Sequence, residues 1–99
     1  MNMQQMIIQA QKMQREMQKK HAELEAQEFT VSKGGAVTVV VKGDKTVASV
    51  SIDKDAFDPD NKEMVEEMIA LAINEAIEQI KAKEEEINSS VSGGMGGLF

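Results

Sequence analysis

Residues 28–52 read EFTVSKGGAVTVVVKGDKTVASVSI, and this stretch decides the fold. Phe29 and Val31 alternate with polar neighbours, which is the period of a half-buried strand. Gly34-Gly35 is a two-residue hairpin signal. Val37, Val39 and Val41 then face one way along a second strand, and Gly43-Asp44 marks a second turn. Ala48, Val50 and Ile52 are the expected inward set of a third strand. Three short strands joined by tight turns make an antiparallel meander.

A different period takes over on either side. From Met3 to about Gln27 there is no Gly and no Pro, and most residues are strong helix formers. Met3, Met6, Ile7, Ala10, Met13, Met17 and Leu24 recur at three- and four-residue steps, which places them on one stripe of a long amphipathic helix. The near-heptad spacing favours a helix–helix or dimer interface over a Met-rich peptide groove. After the meander, Pro59 ends the strands, Asp60 is the expected N-cap, and Glu63 completes a capping-box spacing. The second helix is expected to run to about Ile87. Its main stripe is Val65, Ile69, Ala72, Ile73, Ala76, Ile77 and Ile80, widened at the start by Met64, Met68 and Leu71. That surface exceeds what one sheet face needs, so the surplus is expected to meet a second protomer. Residues 89–99, SSVSGGMGGLF, are expected to form a flexible Gly/Ser-rich tail, which leaves residues 1–88 as a single domain.

The fold class is therefore α+β, in the order α-β-β-β-α, with a three-stranded meander between two long amphipathic helices. A homodimer is expected because a 99-residue chain with no Trp, no Tyr and three Phe has little with which to build a core alone. There is no cysteine, which removes disulfides and thiolate chemistry. The N-terminal MNMQQMIIQAQKMQ is not a basic segment followed by an apolar one, and no apolar run approaches the ~20 residues of a membrane span. A cytoplasmic protein with no membrane partner is expected.

The net charge of −6 is unevenly spread. Residues 1–21 hold Lys12, Arg15, Lys19 and Lys20 against Glu16, so this segment is +3 and the remainder is −9. Lys12, Arg15 and Lys19 lie roughly opposite the Met stripe, with Lys20 nearby. A helix packed on one side and basic on the other can lie along a phosphate backbone. On the stripe alone, an ordinary solvated face is the commoner explanation. No aromatic residue on this helix can stack on a base, which speaks against a single-strand platform.

Other constellations carry no chemistry. Asp53, Asp55, Asp58 and Asp60 suggest a calcium loop, but its sixth position would be Asp58 where Gly is needed and its twelfth Met64 where Glu is needed. They read better as turn and cap residues. Gly34-Gly35 precedes a strand, and a phosphate loop precedes a helix. His21, the single histidine, falls at the edge of the apolar stripe, where an interface role is the default. The acids of the second helix, Glu66, Glu67, Glu78, Glu84, Glu85 and Glu86 among them, read as a solvated face. No nucleophile, metal set or acid–base pair is legible, so no enzyme, cofactor, metal or small-molecule substrate is expected.

Three segments together carry a resemblance. QAQKMQREMQKK (9–20) is similar to the N-terminal helix motif of the YbaB/EbfC family of bacterial nucleoid-associated proteins. GGAVTVVVKGDKTVASVSID (34–53) resembles that family's Gly-containing hairpin and its closing Ile-Asp step. DNKEMVEEMIALAINEAIEQI (60–80) resembles its second helix, including the stretch Ala72-Ile73-Asn74-Glu75-Ala76. The Met-Gly-Gly of the tail also fits. The chain departs from the pattern at Lys54, where Pro is common, and at Ile73, where an aromatic is common. The resemblance implies a non-enzymatic homodimer with helices projecting like tweezer arms, bound to double-stranded DNA in the nucleoid. The implied binding positions are Lys12, Arg15, Lys19 and Lys20. Lys81 and Lys83 are further candidates weakened by the adjacent Glu84, Glu85 and Glu86. The alternative is a protein–protein module, such as a prefoldin-like chaperone, that uses the Met-rich surface.

Overall fold

The computed structural model describes residues 2–96, with side chains described through residue 89. The order is α1 (Met3–Ala26), β1 (Glu28–Lys33), β2 (Val37–Lys42), β3 (Val47–Ile52), two 3-10 turns (Lys54–Ala56 and Pro59–Asn61) and α2 (Lys62–Gly96). This is the expected α-β-β-β-α arrangement. The sheet is antiparallel in the order β1-β2-β3. At the first turn Gly34 and Gly35 hold φ of 57° and 66°, left-handed values that a type I′ hairpin requires and that Gly adopts without strain.

The strand periodicity is realised on β1 and β2. Phe29, Val31, Val37, Val39 and Val41 are buried against Val65, Ala72, Ala76 and Ile80 of α2, with Leu24 of α1 closing the same core. The opposite sheet face carries Thr30, Ser32 and Thr38, and Ser32 Oγ and Thr38 Oγ1 lie 2.9 Å apart. The fold therefore has two layers, one sheet and one helix, with α1 attached at the end.

The third strand departs from the expected pattern. Val39 pairs with Val50 and Val37 with Ile52, but a register shift falls between Val40 and Val41, so that Val41 pairs with Val47. Ala48 is the extra residue of a β-bulge, and the bulge changes the parity of the strand. The core-facing set is thus Val47, Val50 and Ile52, with Val47 in the place expected for Ala48. α2 lies over β1 and β2 and barely reaches β3, which leaves Val47 and Val50 over 40% exposed (42% and 44%).

Two local assignments also change. Asp60, expected as the cap of the second helix, lies inside the 3-10 turn that leads into α2, and that turn is capped by Asp58, whose carboxylate accepts the Asp60 N–H at 2.9 Å. Pro59 is the reason. Its fixed φ suits the first position of a helical turn, so the capping side chain comes from the residue before it. Gly43, expected as a turn glycine, is required for a close approach instead. A Cβ there would run into the Leu24 carbonyl at the end of α1, while the left-handed residue of this turn is Lys45, at φ 70°. The Thr46 N–H donates to Asp44 Oδ1 at 2.9 Å, and its hydroxyl adds a second bond that holds the Asp44 carboxyl below the ordinary aspartate range.

α2 continues to Gly96, past the end expected near Ile87. The tail expected at 89–99 falls almost wholly on residues whose side chains, and for 97–99 whose backbone, lie outside the described residues.

The close approach at Gly43 is open to measurement. Gly43→Ala forces a methyl against fixed backbone and is expected to cost the upper end of about 1–3 kcal/mol or more. Gly35→Ala meets open space and costs only the left-handed strain, about 1–2 kcal/mol. Urea unfolding at one protein concentration should therefore place the Gly43→Ala midpoint below that of Gly35→Ala. The reverse order would contradict the packing of α1 on the β2–β3 turn.

Candidate nucleic-acid interface

The basic residues are presented by an arm. α1 is capped at its start by Asn2, whose side chain accepts the Gln5 N–H at 2.8 Å. At its other end the Gly43 N–H donates to Gln27 O at 2.9 Å and pins the helix to the sheet. Leu24 is buried between the two helices and the sheet, and His21 Nε2 lies 3.3 Å from Asn88 Oδ1. Earlier residues of α1 thus meet later residues of α2, so the helices run antiparallel and away from the sheet together. His21 takes the interhelical position expected of it. The molecule is correspondingly long, 69 × 22 × 14 Å.

Cover decreases outward along the arm. Met13 and Met17 are half-buried, whereas every residue from 2 to 10 is exposed, including Met3, Met6 and Ile7 of the predicted stripe. On the other side of α1, Lys12, Arg15, Lys19 and Lys20 are all exposed. Lys12 and Lys19 are separated by about 10 Å along the axis at ~1.5 Å per residue, with Arg15 between them.

Ion pairing separates these cations from most of those of the body. Lys33 pairs with Glu75 at 2.9 Å, Lys45 with Glu84 at 3.1 Å, and Lys62 with Glu66 at 3.0 Å. Lys81 and Lys83 pair with Glu78 and Glu86 at 3.6 and 3.4 Å, so both additional candidates on α2 are matched by local acids. Among the described residues, no ion pair engages Lys12, Arg15 or Lys19, which cluster on one side of α1, or Lys42 and Lys54, which stand apart on the body. Lys20 points nearer α2, into a recess it shares with Glu23, Lys83 and Ile87. Surface ion pairs contribute little stability, but they do cancel charge locally. The arm is where leftover positive charge is clustered.

Two features escape the sequence periods. The first is an open apolar face on the body. Met64 and Leu71, 41% and 54% exposed, lie on the flank of α2 that carries Met68 and Glu75 toward the β1–β2 hairpin, so this face consists of Val47 and Val50 at the β3 edge. Beside them a recess of about 430 Å³ is walled by Ile52, Ala56, Val65 and Ile69, with Phe57 at its lip, 79% exposed. The surplus stripe on α2 is legible, but the contribution of β3 is not, because the bulge hides its parity. The second is Ile8, 61% exposed and out of phase with the Met stripe. Its signal is the helical phase: it lies one turn from Lys12 and two from Arg15. Among the described residues no cluster of three or more metal-ligating side chains occurs, and no helix is long and apolar enough to cross a membrane.

The chain is similar in sequence to known proteins. The model of the YbaB/EbfC DNA-binding family matches residues 1–95. A nucleoid-associated protein of Clostridium novyi is 43% identical over 99 residues, covering 99% of this chain and 84% of the relative. One from Malacoplasma penetrans is 42% identical over 87 residues, covering 88% and 93%. One from Chloroflexus aurantiacus is 41% identical over 101 residues and covers both chains fully, 100% of each.

Because Lys12, Arg15 and Lys19 support no packing, replacing all three by Gln should leave the fold intact. Gln is close to Lys and Arg in helix propensity, and surface changes of this kind usually stay within ~0.5 kcal/mol each. Circular dichroism melts should superimpose on wild type to within a few degrees. A collapse of the melting temperature would assign these side chains a structural role.

Proposed function

The chain belongs to the YbaB/EbfC DNA-binding family, and from that membership we propose that it binds double-stranded DNA as a homodimer in the nucleoid. The family is non-enzymatic, and the relatives named above are nucleoid-associated proteins. Contact is made mainly to phosphates, by Lys12, Arg15 and Lys19 on the outer side of α1, with Lys20 at the edge. The role is architectural or regulatory.

The observation that carries this reading is the segregation of charge. Five lysines of the body are matched by local acids and Lys42 and Lys54 stand singly, while the arm gathers Lys12, Arg15 and Lys19 unmatched on one side of one helix. A phosphate backbone supplies the missing anions, and the −9 remainder repels it from the body, which orients the arm toward DNA.

The dimer is supported by the open apolar face of β3 and the start of α2. Val47 and Val50 stand exposed on the side of the sheet that α2 covers elsewhere, beside the recess walled by Ile52, Val65 and Ile69. A second copy placing its own face there would complete the second layer over β3. This deepens the core of a chain too short to build a large one alone. A prefoldin-like role fits less well. It needs two helices of matched length, and here α1 has 24 residues and α2 has 35, the first half of α2 being taken up by the sheet.

Two measurements test the proposal. Light scattering at micromolar concentration should give about twice the 10.9 kDa chain mass, and Val50→Lys should shift it toward the monomer. In anisotropy titrations at several salt concentrations, log K should fall linearly with log salt. Changing Lys12, Arg15 and Lys19 to Gln should flatten that slope by about 0.9 for each phosphate that is no longer neutralised. A monomeric wild type, or no DNA binding at low salt, would sink the reading.

A further inference from the structure

Ile8 is unexplained by the fold and by phosphate binding alike. It is 61% exposed, it lies opposite the apolar stripe, and no core or interhelical contact claims it. Its neighbours on that side of α1 are Gln4 one turn toward the tip, Gln11 and Lys12 one turn toward the body, and Arg15 two turns along, all exposed. An isolated apolar side chain on a surface is ordinary. This one stands in line with the uncompensated basic side, flanked by carboxamides, on the part of the arm that is bare all round.

The shape of the arm gives that placement a consequence. A single α-helix with its side chains is about 10–12 Å across, which the major groove of B-DNA, about 12 Å wide, admits. Residues 2–10 are exposed on every side, so this part of α1 has a single-helix cross-section. Further in, where Met13, Met17 and Leu24 are progressively covered, the arm is thicker than one helix and can only ride on the groove's rim. Lys12, Arg15 and Lys19 sit along that inner part, at the level of the phosphates when the tip is in the groove.

We infer that the tip of α1 enters the major groove and that Ile8 there packs against the C5-methyl group of thymine, with Gln4 and Gln11 placed to meet the adjacent adenine edges. The inference rests on the DNA-binding reading above and adds base discrimination to it. The chemistry is matched on both counts. Apolar side chains contact the thymine methyl, and a Gln amide can donate to N7 and accept from N6 of adenine. The protein would thus prefer A·T-containing major grooves, while its phosphate contacts remain indifferent to sequence.

The thymine methyl can be removed without changing base pairing. Two duplexes of the same alternating A·T sequence, one with thymine and one with uracil, are titrated with the full chain at fixed salt. Wild type should bind the thymine duplex more tightly, by roughly fourfold for each methyl buried. Ile8→Ala should bring the ratio to one. Ile7→Ala, on the flank of the Met stripe in the same turn, should leave the ratio as in wild type. Equal binding of both duplexes by wild type, with salt dependence intact, overturns the base contact and spares the phosphate reading. A ratio that persists in Ile8→Ala overturns the role of Ile8. Failure to bind either duplex at low salt overturns both readings together.

Discussion

The close seating of α2 on β1 and β2 is the constraint on which the rest of the molecule depends. Ala72 and Ala76 are fully buried beneath the helix, and their small side chains bring its backbone down onto Val37, Val39 and Val41. No aromatic spacer holds the layers apart there, and Phe29 lies at the margin of the core at 9% exposure. One helix so placed covers two strands and leaves the third uncovered. The line of α2 over those two strands also carries it past the end of the sheet, where its later turns support α1. The open face of β3 and the projecting arm therefore follow from the same packing.

The legible parts of this arrangement are those governed by one period. The stripe of α2 from Val65 to Ile80 is buried or half-buried as its spacing predicts, and the alternation of β1 and β2 holds without exception on the core face. The opposition of Lys12, Arg15 and Lys19 to the Met stripe is likewise readable as helical phase. The illegible parts are those where a neighbour in space overrides the period. The bulge at Ala48 is a property of pairing with β2, so β3 alone cannot reveal that Val47 takes the inward place. Gly43 resembles a turn residue because turns are the commonest use of Gly, whereas the Leu24 carbonyl that requires it lies about twenty residues away. Ile8 is obscured for the opposite reason. By period it is only an apolar residue outside the stripe, and its meaning depends on the unpaired cations that share its side of the helix.

Charge arrangement does more here than net charge. A total of −6 would suggest a protein that avoids DNA. The acids, however, are concentrated on the body and on α2, where they take up Lys33, Lys45, Lys62, Lys81 and Lys83 within 4.0 Å. Lys42 and Lys54 are left unpaired but stand at opposite ends of the sheet, so no basic cluster on the body competes with the arm. An acidic body also limits how the molecule can approach a polyanion, since every orientation except arm-first is penalised by repulsion. The acidity of the chain is thus compatible with DNA binding and gives it a direction.

One arm of this kind would hold DNA weakly. Three unmatched cations release few counterions, and at physiological salt their attraction is largely offset by competing ions. The proposed dimer changes this through geometry. If β3 and the start of α2 form the interface, the contact lies on the body, and the arms of both protomers stay uncovered. Engagement of the first arm then places the second at a high effective concentration near the same duplex, which can raise avidity by roughly 10²–10⁴ without any new kind of contact. That gain requires a rigid link between arm and interface. The burial of Leu24, the Gly43–Gln27 hydrogen bond and the Lys45–Glu84 pair all act at this joint, where the arm meets the sheet. Rigidity at the joint and bareness at the tip are therefore complementary requirements: the first sets the spacing between the two arms, and the second lets each fit a groove.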